Sequence, residues 1–203
     1  LSQIHGINKV NITTNGTAPL KHIDAMKAIG IHSVNLSLDS LDPARFFAIT
    51  RRTEFDKVWA FYKGLLEAEI KTKINAVVMQ EHNLDDIIPM AELTLKDKAN
   101  VRFIEEMPFN GKGQREMQEN WTFKRILNEI KTAFDVQEMQ SEKSSTSRNY
   151  RVQGHKGTVG IIPAFTRTIC NDCNRIRITS TGTFKNCLFD DGVFNLRDFL
   201  RKG

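Results

Sequence analysis

Cysteine is scarce in this chain: three in 203 residues, Cys170, Cys173 and Cys187, all toward the C-terminus. An odd number, two of them at C-x2-C spacing, excludes the paired disulfide framework of a small secreted domain and points to a reducing compartment, the cytoplasm. No apolar run approaches the roughly 18–20 residues that a membrane span needs, and no cleavable signal opens the chain, so a soluble protein is expected. Internal repeats are absent. The five histidines, His5, His22, His32, His82 and His155, show no ligand spacing; His155 alone offers a fourth donor to a zinc site.

What is present is an ordinary globular composition, 40% hydrophobic, enough for one substantial core or one large domain with an appendage. A net charge of +5 and an isoelectric point near 9.2 favour anionic partners without choosing among nucleotides, nucleic acid and membrane surfaces. The chain opens on Leu1-Ser2-Gln3-Ile4 without a methionine and stops at Arg201-Lys202-Gly203, which reads as a fragment of a longer protein.

From residue 10 to 106, short β-branched runs alternate with helical stripes. Strands are predicted over 10–14, 33–38, 72–79 and 101–106. Between them, Leu20, Ile23, Met26 and Ile29 repeat up to Gly30, a helix C-cap signal. Asp42-Pro43 reads as the N-cap and first residue of another helix. Phe55, Val58, Trp59, Tyr62, Leu65 and Leu66 stripe a third, and Leu84, Ile87, Ile88, Ala91 and Leu95 a fourth. Such alternation implies parallel strands with helical crossovers, in an open sheet or a barrel, and ligands bind at the C-terminal ends of those strands. Polar residues gather there: Thr13, Thr14 and Asn15 after the first strand, Ser37 and Asp39 after the second, Arg102, Glu105 and Glu106 along the fourth. On the third, Lys73 and Asn75 alternate with Ile74 and Ala76, which turns a lysine inward unless this is an edge strand with one wet face. Beyond Met107, Asn110 to Gly113 is expected as a flexible loop, Trp121 to Phe134 as an amphipathic helix, 140–149 as an exposed Ser-rich loop, and 150–165 as a glycine-interrupted β-hairpin.

The cysteines carry the most specific signal. C-x2-C with a third thiol after thirteen intervening residues suits a thiophilic centre, zinc or iron–sulfur, with one coordination position left for a protein ligand or a substrate atom. The alternating run from Asn174 to Thr179, the Thr181-Gly182-Thr183 turn and the return from Phe184 to Phe189 predict a hairpin that carries Cys173 and Cys187 to one end. Arg175 and Arg177 then share a face beside the centre, either as forks for an anionic ligand or as solvated surface charges.

These residues resemble the radical S-adenosylmethionine GTP 3',8-cyclases of molybdenum cofactor biosynthesis, the MoaA family. The resemblance rests on Thr13-Thr14-Asn15-Gly16, Asn35-Leu36-Ser37-Leu38-Asp39, Lys73-Ile74-Asn75, Arg102-Phe103-Ile104-Glu105 with Met107-Pro108, and Cys170-x2-Cys173-Asn174-Arg175-Ile176-Arg177 with Cys187-Leu188-Phe189. It implies an α/β fold, an incomplete TIM-type (β/α)6 barrel over residues 1–108, followed over 109–203 by a C-terminal, hairpin-rich segment. Cys170, Cys173 and Cys187 would bind a 4Fe–4S cluster whose fourth iron is left for the guanine of GTP. Thr13, Lys73, Arg175 and Arg177 would hold GTP, with Asn75 and Arg102 as neighbouring pocket residues; Ser37 and Met107, and Asn15 beside them, would contact S-adenosylmethionine. No catalytic residue is assigned. A second 4Fe–4S cluster, fed by an electron donor, would cleave that cofactor, and the resulting radical would take hydrogen from C3' of GTP, whose carbon then closes on C8 to give (8S)-3',8-cyclo-7,8-dihydroguanosine 5'-triphosphate. The family's C-x3-C-x2-C motif for that second cluster and its terminal Gly-Gly are not in these 203 residues, so the piece by itself is expected to be inactive. No nucleic acid or membrane partner is implied, and a homodimer is allowed. Two other readings compete: a different radical S-adenosylmethionine enzyme with an auxiliary cluster, and a basic nucleic-acid-binding module with a structural Cys3His zinc site.

Overall fold

The structure, a computed structural model, describes residues 3–107, 121–140, 145–166, 173–187 and 191–202. It divides into two units, Leu1–Thr168 and Ile169–Gly203. No helix among the described residues is long and apolar enough to cross a membrane.

In the first unit the strand–helix alternation becomes β1 (Asn11–Thr14), α1 (Lys21–Ala28), β2 (Ser33–Ser37), α2 (Pro43–Thr50), α3 (Phe55–Glu67), β3 (Lys71–Val78), α4 (Ile87–Lys96) and β4 (Ala99–Glu105). They are followed by α5 (Phe123–Ala133), β5 (Val136–Glu138), β6 (Arg148–Val152) and β7 (Thr158–Ile162). The seven strands form one sheet in the order β1-β2-β3-β4-β7-β6-β5. The first four strands and β7 run parallel to one another, while β6 is antiparallel to β7 and β5 to β6 at the far side. The sheet therefore continues past residue 108, because β7 pairs with β4.

Local signals behave as their chemistry requires. The Asp42 carboxylate accepts from Arg45 N at 2.7 Å and Pro43 occupies the first turn of α2, so both the cap and the missing proline donor are accounted for. Gly30 takes φ +73° just past α1. Gly64 lets α1 close on α3, since a Cβ there would lie 2.7 Å from Ile23 Cδ1. The loop expected from 140 to 149 is shorter than the sequence suggested: Arg148 and Asn149 are already in β6, held by ladder bonds to β7, and residues 141–144 lie outside the described residues. The loop expected at Asn110 to Gly113 also lies outside them.

Period-two alternation gives the sheet two unlike faces. Val34, Leu36, Ile74, Ala76, Val101, Phe103, Val159 and Ile161 are buried on one face against Val58, Phe61, Tyr62 and Leu65 of α3, Ile87, Met90 and Ala91 of α4, and Ile126 and Ile130 of α5. The opposite face carries Thr13, Asn35, Lys73, Asn75, Asn100 and Arg102. β3 lies inside the sheet with β2 and β4 on either side, so the edge-strand explanation for Lys73 is excluded.

A polar clamp fixes the C-terminal ends of β2 and β3. Asp39 accepts from Val77 N at 2.8 Å, and burial pushes its carboxyl above the ordinary value. Asn83 donates to the carbonyls of Asp39 and Val77 and accepts from Met79 N. Buried Asp86 accepts from Ser40 Oγ at 2.7 Å, Leu41 N at 2.9 Å and Arg45 Nε at 2.8 Å.

The second unit is a small antiparallel sheet, β10-β9-β8, with β8 at Arg177–Ile178, β9 at Thr183–Lys185 and β10 at Phe194–Asn195, followed by α6 at Leu196–Arg201. Gly182, at φ +90°, makes the turn between β8 and β9, and Phe184 stacks on Phe194 with centroids 5.0 Å apart.

Asp86→Ala leaves Arg45, Ser40 Oγ and Leu41 N without their shared acceptor. Because Arg45 is partly solvated, the cost should be about 2–3 kcal/mol, or roughly 5–10 °C in the melting temperature of a domain of this size. A melting curve within a degree of wild type would contradict the clamp.

Candidate functional site

The polar face is organised by register. Thr13, Asn35, Lys73 and Asn100 lie in one row across β1, β2, β3 and β4, and Ser37, Asn75, Arg102 and Gly160 in the next row, one step closer to the C-terminal rim. Within these rows Asn35 donates to Thr13 Oγ1 at 3.2 Å and accepts from Arg102 Nη2 at 2.7 Å. Asn35 thus ties a residue expected to touch substrate to a neighbouring cation, a role that reading the chain did not assign to it. The signal was available, since Asn35 stands two residues before Ser37 on the same strand face. Gly160 leaves room for the arginine, because a Cβ there would sit 3.0 Å from Arg102 Cγ.

The electrostatics of the face are one-sided. Among the described residues neither Lys73 nor Arg102 forms an ion pair with a carboxylate. Burial, and then the charges of Arg102, Lys71 and Lys9, lower the Lys73 ammonium below its ordinary value. Burial alone brings the Arg102 guanidinium down to about 10. Among the described residues two buried side-chain atoms lack hydrogen-bond partners, Asn75 Oδ1 and Arg102 Nε, and they belong to register partners on adjacent strands. A desolvated donor and acceptor side by side, with uncompensated positive charge in the neighbouring row, are what an anionic ligand with its own polar edge would satisfy.

The other expected contacts divide. Ser37 is exposed at the C-terminal end of β2, beside Asn75 in register, and Met107 is half-buried two residues beyond β4. Asn15 is different: its Oδ1 accepts from Thr17 N at 3.2 Å and Thr17 Oγ1 at 2.9 Å, closing its own turn. Gly16 beside it, at φ +76°, has no room for a side chain beneath Leu36 and Val58.

In the second unit, Cys173 and Cys187 are exposed, and Cys170 lies outside the described residues. Backbone and side-chain hydrogen bonds from Arg175 hold the Cys173 thiol below its ordinary value, assisted by the charges of Arg175 and Arg177. This favours the thiolate, the form that binds a metal. The β8–β9 ladder pairs Arg177 with Lys185. Extending that register places Arg175 opposite Cys187 at the open end of the hairpin. The described donors therefore suit a thiophilic cation, although no group of three His, Cys, Asp or Glu side chains assembles among the described residues. His155, the candidate fourth zinc donor, has Nδ1 2.7 Å from Thr94 Oγ1 and its ring edge-on to Phe134.

Comparison with known proteins divides the chain within the first unit. Residues 99–203 match the family described as Molybdenum Cofactor Synthesis C, and residues 1–94 match the Radical SAM superfamily. Over the whole chain it is 36% identical to "GTP 3',8-cyclase, mitochondrial" of Arabidopsis thaliana, covering 52% of that protein. It is 35% identical to "GTP 3',8-cyclase" of Peptoclostridium acidaminophilum, covering 62%, and 33% identical to "Molybdenum cofactor biosynthesis protein 1" of Homo sapiens, covering 32%, again with all of this chain aligned. The chain thus spans between about a third and three fifths of the length of these relatives.

Lys73→Met tests the unbalanced face directly. A lysine whose folded value lies below its ordinary 10.5 costs stability at every pH below that lowered value, and the cost fades as pH rises toward 10.5. The ligand-free variant should melt about 2 °C higher than wild type at pH 7, after allowance for partial solvation, with the difference shrinking near pH 10.5. A variant less stable at pH 7 would show that Lys73 has a protein partner.

Proposed function

The chain belongs to the Molybdenum Cofactor Synthesis C family, and we propose that it is the substrate- and cluster-holding part of a radical S-adenosylmethionine GTP 3',8-cyclase, which converts GTP to the 3',8-cyclised nucleotide of molybdenum cofactor biosynthesis. One observation carries this reading: a polar sheet face whose cations have no carboxylate among the described residues and whose buried Asn75 Oδ1 and Arg102 Nε have no partner. A nucleoside triphosphate brings both the anionic charge and the polar edges that such a face lacks.

In this reading the parallel-rich sheet of residues 1–108 is part of a (β/α)6 barrel with its polar face inward, and 109–203 is the segment specific to cofactor synthesis. Thr13 and Lys73 contact GTP from the first unit, with Asn75 and Arg102 as neighbouring pocket residues. Asn35 keeps Thr13 and Arg102 in place. Arg175 and Arg177 are further GTP contacts in this reading. Ser37 and Met107 contact S-adenosylmethionine, whereas Asn15 shapes the Thr-Asn-Gly turn, since its side-chain oxygen is already used. Cys170, Cys173 and Cys187 hold a 4Fe–4S cluster, and hydrogen bonds from Arg175 lower the Cys173 thiol toward the ligating thiolate form. When bound, the cluster supplies an iron that no cysteine of the trio occupies. An electron donor in a reducing compartment, the cytoplasm in this reading, serves the complete enzyme, and a homodimer is compatible with it. The 203 residues contain no C-x3-C-x2-C motif, so the chain alone is proposed to form no cyclised nucleotide.

Anaerobic reconstitution tests the reading. This chain should retain about four irons with broad visible absorption. Cys173→Ala and Cys187→Ala should each abolish that retention, and stoichiometric zinc in its place would overturn the assignment. Arg175→Ala or Arg177→Ala should weaken GTP binding to the loaded chain by about 10- to 100-fold, the loss expected for one charge-assisted contact. Cyclised product from the chain alone, with reductant and cofactor, would contradict the proposed division of labour.

A further inference from the structure

Glu105, the last residue of β4, is 2% exposed and lies on the helix-covered side of the sheet. It forms no ion pair among the described residues. Instead its carboxylate collects four neutral donors: Phe123 N at 2.6 Å and Thr166 Oγ1 at 3.1 Å on Oε1, and Phe165 N at 2.8 Å and Thr166 N at 2.7 Å on Oε2. Three are backbone amides from two segments distant in sequence. Phe123 opens α5, whose N-cap residue Thr122 makes no side-chain capping bond, so the carboxylate of β4 caps this helix from across the fold and sits at the positive end of its dipole. Phe165 and Thr166 follow β7, and Thr166 stands four residues before Cys170.

We propose that Glu105 is a positioning residue, one that anchors the stem of the cysteine segment to the sheet rim so that the cluster-binding cysteines start from a fixed point. This rests on the cluster assignment above. The physical reason is entropic. Residues already fixed at the rim need not be ordered again when three thiolates close on a metal group, whereas a free stem adds that cost to every binding event. The choice of glutamate follows from the donor count. Both carboxylate oxygens accept two bonds each here, whereas a glutamine would keep one oxygen and turn its NH2 toward two N–H or O–H donors.

The test is Glu105→Gln in this chain, read in two ways. Amide hydrogen exchange should accelerate about tenfold or more in the peptide containing Phe165 and Thr166 and stay unchanged in the peptide of β3, as expected for losing charge-assisted bonds at one place. After anaerobic reconstitution, iron should pass to a chelator about fivefold faster or more than from wild type, because part of the ordering cost returns. Equal acceleration in both peptides would mean a general loss of stability and overturn the proposal; so would unchanged exchange at Phe165 and Thr166, or faster exchange there with unchanged iron retention. Should Glu105→Gln fail to fold, Thr166→Val removes one of the four donors and is read by the same two measurements, with a smaller effect in the same direction expected. A wild-type chain that holds no iron would overturn the functional reading and the positioning role with it, while the exchange comparison would still decide whether the anchor exists.

Discussion

The first unit is arranged around a sheet face that the described residues leave unbalanced. Strands buried on both sides are normally apolar throughout, but here the face away from the helices carries Thr13, Asn35, Lys73, Asn75, Asn100 and Arg102 in two register rows. Bonds within the rows satisfy part of that polarity, through Asn35 between Thr13 and Arg102 and through Asn100 against Thr158 Oγ1 at 2.7 Å. The remainder stays open: Arg102 Nε, Asn75 Oδ1, and an ammonium held below its ordinary value by burial and like charge. Such a surface costs stability in the ligand-free state, and in the proposed reading an anion would offset that cost.

The supporting structure keeps that face in register. The apolar side of the same strands packs on α3, α4 and α5, and the strand ends are fixed by buried carboxylates and amides rather than by surface ion pairs. Asp86 and Glu105 divide the work. One holds the connection from β2 to α2, and the other gathers the start of α5 and the residues after β7 onto the end of β4. Each is buried and fully engaged with donors, the condition under which a buried carboxylate is tolerated.

Much of this was legible in the chain. Period-two runs of β-branched residues marked the first four strands to within two residues at either end, and Asp42-Pro43 and Gly30 marked helix ends, because those signals depend on neighbours in sequence. The inward lysine was legible for the same reason, as alternation alone puts Lys73 and Asn75 opposite Ile74 and Ala76. What sequence could not supply was pairing at long range. Asn35 meets Arg102 across 67 positions, and Glu105 meets Phe165 across 60. Nothing local distinguishes Asn35 or Glu105 from surface residues until the register is known. Arg148 and Asn149 were read as loop because their polar, Ser-rich surroundings hide a strand that only its partner β7 reveals.

The central claim is that this unbalanced face is kept for the charge of a triphosphate. Calorimetric titration of the cluster-loaded chain with GTP and with guanosine, each at two salt concentrations, tests it most directly. The account predicts that GTP binds at least about tenfold more tightly than guanosine and that its advantage shrinks as added salt screens the cations. Equal affinities for the two, indifferent to salt, would contradict it.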